Sequence, residues 1–150
     1  MPPSSKDPFE ANSDLLDLLE DGSSRRGKLT FRPLFPDLVD KVIDDVYGFA
    51  YRRPHIDIKT RQLLTLAVLS TLGDCDVQLK FHLGGALRLG LGPEEIREVF
   101  VQVAVLAGNV RAVNAAALFH EIQNEPAAQE TGPTTTSAQA AETELQKRVA

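Results

Sequence analysis

The chain has 150 residues, 43% of them hydrophobic, and a formal net charge of −5. That length allows one domain with a real core, and the acidic balance argues against a nucleic-acid partner, which would want a basic stripe. No run approaches the roughly 18 apolar residues that a membrane span requires, so no membrane partner is expected.

The start, Met-Pro-Pro-Ser-Ser-Lys, has no apolar h-region, which argues against a secretory signal peptide. The single cysteine, Cys75, cannot close an intrachain disulfide, which fits a reducing cytoplasm. Most of the large apolar residues fall between Phe31 and Ile122. A core of that size is marginal, because small domains bury proportionally less surface, and partner subunits would supply the missing burial.

Residues 1–30 read as an N-terminal arm, polar and mobile to about residue 13. A short helix is expected over 14–20 with Leu15, Leu16 and Leu19 on one side, ended by Asp21-Gly22-Ser23-Ser24. Residues 31–124 form the helical domain. Pro36 suits the first turn of a helix over 35–51, whose apolar positions Leu38, Val39, Val42, Ile43, Val46 and Phe49 keep three-and-four spacing. Pro54 closes it.

Asp57 is placed to cap a helix over 57–72 that is apolar nearly all round, the mark of a buried helix. Gly73 ends it, and Asp74 is expected to cap the helix that follows. Gly90-Leu91-Gly92 turns the chain, and Pro93-Glu94-Glu95 opens a helix to about Ala107. Gly108 breaks that helix, and a last one ends near Gln123. Residues 125–150 have the composition of a disordered tail, with transient helix over 138–149. The fold class is all-α, a compact multi-helix unit.

The chemistry-bearing candidates lie in the helix that follows Gly73. Cys75, Gln78 and His82 stand at i, i+3 and i+7, one helix face, so a thiol, an amide and an imidazole are expected to point the same way. His120 near the end of the last helix reads as structural, and His55 beside Pro54 reads as solvated or lining a pocket mouth. No His, Cys, Asp and Glu set has metal-ligand spacing, so no metal is expected. Gly84-Gly85 and Gly90-Leu91-Gly92 are not a phosphate loop, for no Lys-Ser/Thr follows and no strand precedes.

Several blocks carry a family resemblance. Tyr47-Gly-Phe-Ala-Tyr-Arg-Arg-Pro54 and Lys59-Thr-Arg-Gln-Leu-Leu-Thr-Leu-Ala67 resemble carboxymuconolactone decarboxylases. The likeness continues through Gln78-Leu-Lys-Phe-His82, Gly85-Ala-Leu87, Leu89-Gly90, Glu94-Glu-Ile-Arg-Glu98 and Ala107-Gly108. It implies small all-helical subunits built around a helical hairpin, assembled as homotrimers or homohexamers, needing neither metal nor organic cofactor. The wider superfamily includes alkylhydroperoxidase-D-like proteins, marked by Cys-x-x-Cys-x-x-x-His on one helix.

By motif position Cys75 takes the first cysteine and His82 the histidine, while Gln78 stands at the second cysteine and cannot close a disulfide. Oxidation of Cys75 would stop at the sulfenic acid without an outside thiol. In the decarboxylase branch the histidine is kept. An imidazole titrating near neutral pH can reprotonate carbon after carbon dioxide leaves, and an arginine can hold a carboxylate by two hydrogen bonds. The resemblance puts His82 and Arg53 in those roles, with Tyr47 and Tyr51 flanking a ring.

Phe49 stands where the decarboxylases have a glutamate, Gln102 where they have a histidine, and Leu106 where they have a tyrosine. His55 follows Arg53-Pro54 where a glycine is usual. With Gln78, these positions suggest a less charged pocket for a larger cyclic or polyketide-like molecule. The expected activity is a cofactor-free decarboxylation, isomerisation or cyclisation. The alternatives are a single-cysteine peroxidase and an oligomeric small-molecule-binding protein without catalysis.

Overall fold

The computed structural model describes residues 6–124. The expectations for the tail, including the helix over 138–149, lie outside the described residues. Within them the chain forms eight α-helices, a 3-10 turn and a π-helical segment, with no strand. They are α1 (Pro8–Ala11), α2 (Ser13–Leu19), α3 (Ser23–Thr30), the 3-10 turn (Arg32–Leu34), α4 (Pro36–Ile43), the π segment (Asp44–Ala50), α5 (Ile58–Leu72), α6 (Asp76–Arg88), α7 (Pro93–Ala107) and α8 (Asn109–Asn124).

Local chemistry explains most of these boundaries. The Asp57 carboxylate accepts from the Thr60 N–H at 2.8 Å, the cap expected for α5. Gly73 leaves α5 at φ +66°, a left-handed backbone where an added Cβ would also strike the Arg111 side chain. Pro93 sits in the first turn of α7, and the Glu95 carboxylate reaches back to the Gly92 N–H at 2.7 Å.

Two expected boundaries differ. Asp74 does not cap α6: it sits at φ +56° with its side chain in solvent, and Cys75 takes the cap position. The helix expected over 35–51 is two pieces. Its first part is regular, and its second widens to i to i−5 bonding, ending with the Tyr51 N–H on the Val46 carbonyl at 2.9 Å.

Two apolar clusters hold the molecule together. The larger joins α5 to α8 through Leu66, Leu79, Leu83, Ile96, Phe100 and Phe119, all buried. The smaller gathers Phe9, Leu16, Leu19 and Tyr47, with Val39, Ile43, Tyr51 and Phe81 packed on it. The expected helix over 14–20 is α2, with Leu16 and Leu19 inside as its spacing requires.

The segment before it differs from a mobile arm. Phe9 is 2% exposed and Asn12 is buried, and the turn formers after α2 lead into α3. Arg32 bridges Asp7 and Asp40 at 2.7 Å each, and Lys28 reaches Asp7 at 2.8 Å. Such partly exposed pairs contribute little, so the buried apolar residues do most of the anchoring.

Helix α5 is not buried all round. Gln62, Leu66 and Ser70 face inward, while Leu64, Val68 and Leu72 are all more than half exposed on the opposite side.

Candidate functional site

The polar centre of the molecule lies where the two clusters meet. Gln62 comes from the inward stripe of α5, His82 from α6 and Tyr51 from the end of the π segment. Gln62 is fully buried and His82 is 8% exposed. A buried amide is costly unless all its bonds are made. Here they are: Gln62 Nε2 lies 3.0 Å from His82 Nδ1 and donates to the His82 carbonyl at 2.6 Å.

Its Oε1 accepts from the Tyr51 hydroxyl at 3.0 Å, and that hydroxyl lies 3.1 Å from Thr65 Oγ1. Tyr51 spends its one proton on Gln62, so Thr65 donates to Tyr51. Phe81 meets the His82 ring edge-on at 5.1 Å, and Tyr47 tilts against Tyr51 with ring centroids 5.4 Å apart.

Burial sets the protonation states. It pushes the His82 imidazole down to about 4, because a charged ring loses its hydration there. His82 is therefore neutral across the physiological range. Burial raises Tyr47, with a smaller push from neighbouring Tyr51. Burial also raises Tyr51, partly offset by the Thr65 hydrogen bond and the Arg61 charge. Among the described residues no other group pairs with His82 Nε2.

The expected row of Cys75, Gln78 and His82 does not converge. Gln78 is exposed and His82 buried, because the inward face of α6 runs through Leu79, His82, Leu83 and Ala86. Cys75 and Gln78 line a shallow open depression of about 460 Å³ with Phe31, Asp74, Asp76 and Val77, and His82 is not part of it. The Cys75 thiol donates to the Leu69 carbonyl at 3.3 Å.

Arg53 is exposed and makes no hydrogen bond to His82; its guanidinium lies over the Phe49 ring, 5.4 Å from the centroid. Its carbonyl accepts from Arg61 at 2.8 Å. Phe49 and His55 are exposed beside it. Gln102 and Leu106 lie on the outer face of α7, Leu106 being 81% exposed, and do not join the His82 centre. Tyr47 and Tyr51 do join it.

Gln62 and Thr65, the two members that complete the centre, stand inside the Lys59 to Ala67 block without having been singled out as site residues. A glutamine on the same stripe as Leu66 and Ser70, four residues before a core leucine, was the available signal. Among the described residues no group of three or more His, Cys, Asp or Glu side chains could hold a metal ion. No helix there is long and apolar enough to cross a membrane.

An all-helical fold with a buried, amide-tethered histidine on α6 is the class these features define. The family model for carboxymuconolactone decarboxylases matches residues 37–121, more than half of the chain and nearly all of α4 to α8. The chain belongs to the carboxymuconolactone decarboxylase family. No curated protein matches it closely enough to lend a more specific activity.

Proposed function

We propose that this protein is a cofactor-independent enzyme acting on a cyclic small molecule, with His82 meeting the reacting carbonyl. Decarboxylation, isomerisation and cyclisation share that requirement. The observation that carries the reading is His82 itself, a buried imidazole with Nδ1 tethered to Gln62 and Nε2 unpaired among the described residues. The amide–tyrosine–threonine chain behind it holds the ring in one orientation. Tyr47 and Tyr51 supply flat apolar walls on one side. Arg53, free to turn from Phe49, would take a substrate carboxylate at the rim, with His55 and Gln78 as further rim contacts.

A peroxidase reading has less support. A lone thiol bonded to a backbone carbonyl, with Gln78 where a resolving cysteine would stand, has no partner for a disulfide.

Assembly into a homo-oligomer belongs to the same proposal. Leu64, Val68 and Leu72 on α5, and Val101, Val105, Leu106, Val110 and Val113 on α7 and α8, are large apolar residues left in solvent by a single subunit. Packing them against copies would bring the outer face of α7, with Gln102 and Leu106, into an enclosed space.

The test is a screen of carboxy-lactones and cyclic β-dicarbonyl compounds, scored for product and carbon dioxide. Each hit is repeated with His82→Ala and His82→Gln. Turnover that survives both substitutions removes His82 from the chemistry and defeats the proposal. Light scattering on the parent chain and on Leu106→Asp reads the assembly, and a monomer for both would refute it.

A further inference from the structure

The backbone carbonyl of His82 has only lone pairs, so the Gln62 atom 2.6 Å from it must be the amide nitrogen. The same nitrogen faces His82 Nδ1 at 3.0 Å. An amide nitrogen only donates, so Nδ1 is obliged to accept, and the proton of the neutral ring sits on Nε2. The far end of the chain enforces the same orientation, since the Tyr51 hydroxyl donates to Gln62 Oε1 at 3.0 Å and receives from Thr65. Turning the amide over would set an oxygen against the His82 carbonyl. Every hydrogen bond from Thr65 to His82 therefore runs in one direction.

We infer that Gln62 is a positioning residue that locks His82 as the neutral Nε2–H tautomer, a fixed hydrogen-bond donor and not a general base. To act as a base His82 would need a lone pair on Nε2, and Gln62 already occupies the alternative site. The inference rests on the reading that His82 meets the substrate, and it narrows the substrate class. A neutral N–H donor helps where negative charge grows on a carbonyl oxygen, as when a cyclic ketone or lactone passes through an enolate. It offers little to a substrate whose first step is loss of a proton to the histidine.

The surroundings agree. The π segment presents Tyr47 and is capped by Tyr51, both held un-ionised by burial. On α5, Arg61 acts on Tyr51, and Phe81 beside the ring on α6 is apolar. Among the described residues no carboxylate pairs with either ring nitrogen of His82.

The experiment is nitrogen NMR of the ring in the full chain, uniformly labelled and without substrate, across the neutral range. Nε2 is expected to carry the proton and Nδ1 to show an acceptor's shift. Gln62→Glu replaces the donor with a carboxylate, so the proton should move to Nδ1 and proton affinity should rise at least tenfold. Gln62→Leu, of similar volume, should release the lock and give mixed tautomers. A parent chain protonated on Nδ1, or a Gln62→Leu chain still purely Nε2–H, overturns the inference.

The parent spectrum needs no variant to fold. It is also read without turnover, so it can fail while His82→Ala still abolishes activity. The reverse outcome is read as readily, so failure of the tautomer lock and failure of the catalytic reading are distinguished.

Discussion

Replacing His82 by Asn tests the burial of this ring through pH-dependent stability. Asn keeps an oxygen near the Nδ1 position for Gln62 and removes the titratable ring. In the native state the imidazole is pushed down to about 4, against 6.5 for an unperturbed histidine. Because the native value is the lower one, the unfolded chain binds a proton that the native state refuses throughout that interval. Stability from the neutral ring is thus complete above pH 6.5 and is lost as pH falls toward 4. Integrating from pH 7.5 to pH 4.5 gives a loss of about 2.5 kcal/mol.

The Asp7, Asp14 and Asp57 carboxyls are held below their usual range in both proteins. Asp7 is lowered by Lys28 and Arg32 against burial, Asp14 chiefly by Arg52, and Asp57 by the Thr60 N–H. They cancel in the comparison. Urea unfolding followed by circular dichroism at both pH values supplies four free energies. The advantage of the parent over His82→Asn should shrink by about 2.5 kcal/mol on acidification. A gap constant to within about 0.5 kcal/mol would show that His82 is hydrated in solution and that the buried-ring argument is wrong.

Three further outcomes follow from the packing. Gly85→Ala places a Cβ 3.2 Å from the Leu19 side chain and 3.4 Å from Gln62 Nε2, so it should cost about 1–3 kcal/mol in thermal unfolding and disturb the His82 ring signals as well. Phe9→Ala should cost about 3–5 kcal/mol in urea unfolding, since the ring is 2% exposed; a change near zero would mean that the first helices are not part of the folded unit. Asp57→Ala removes the cap of α5 and should lower stability by about 1 kcal/mol while leaving the His82 spectrum unchanged, because the cap bonds the Thr60 N–H and takes no part in the Gln62–His82 contact.

The helical class, the limits of α5 and α7 and the turn at Gly90 were legible in the chain alone. They depend on residues acting on their own neighbours: Asp57 on Thr60, Pro93 in a first turn, Gly73 at a left-handed backbone. His82 was legible too, through its place in a recurring block. What the linear order did not disclose is which way each side chain faces once helices pack. Spacing put Cys75, Gln78 and His82 on one face, yet packing turned His82 inward and left Gln78 in solvent. The same packing brought Gln62 onto His82 from α5 and Tyr51 onto Gln62 across the Arg53 loop.

Residues 8–30 show the same limit. They are too short as helices to persist by propensity, and they are held by burying Phe9, Leu16 and Leu19 against partners far along the chain. Backbone geometry answers to near neighbours and can be read in order. The donor state of a buried ring answers to whatever tertiary contact faces it, and here that contact is one glutamine amide on another helix.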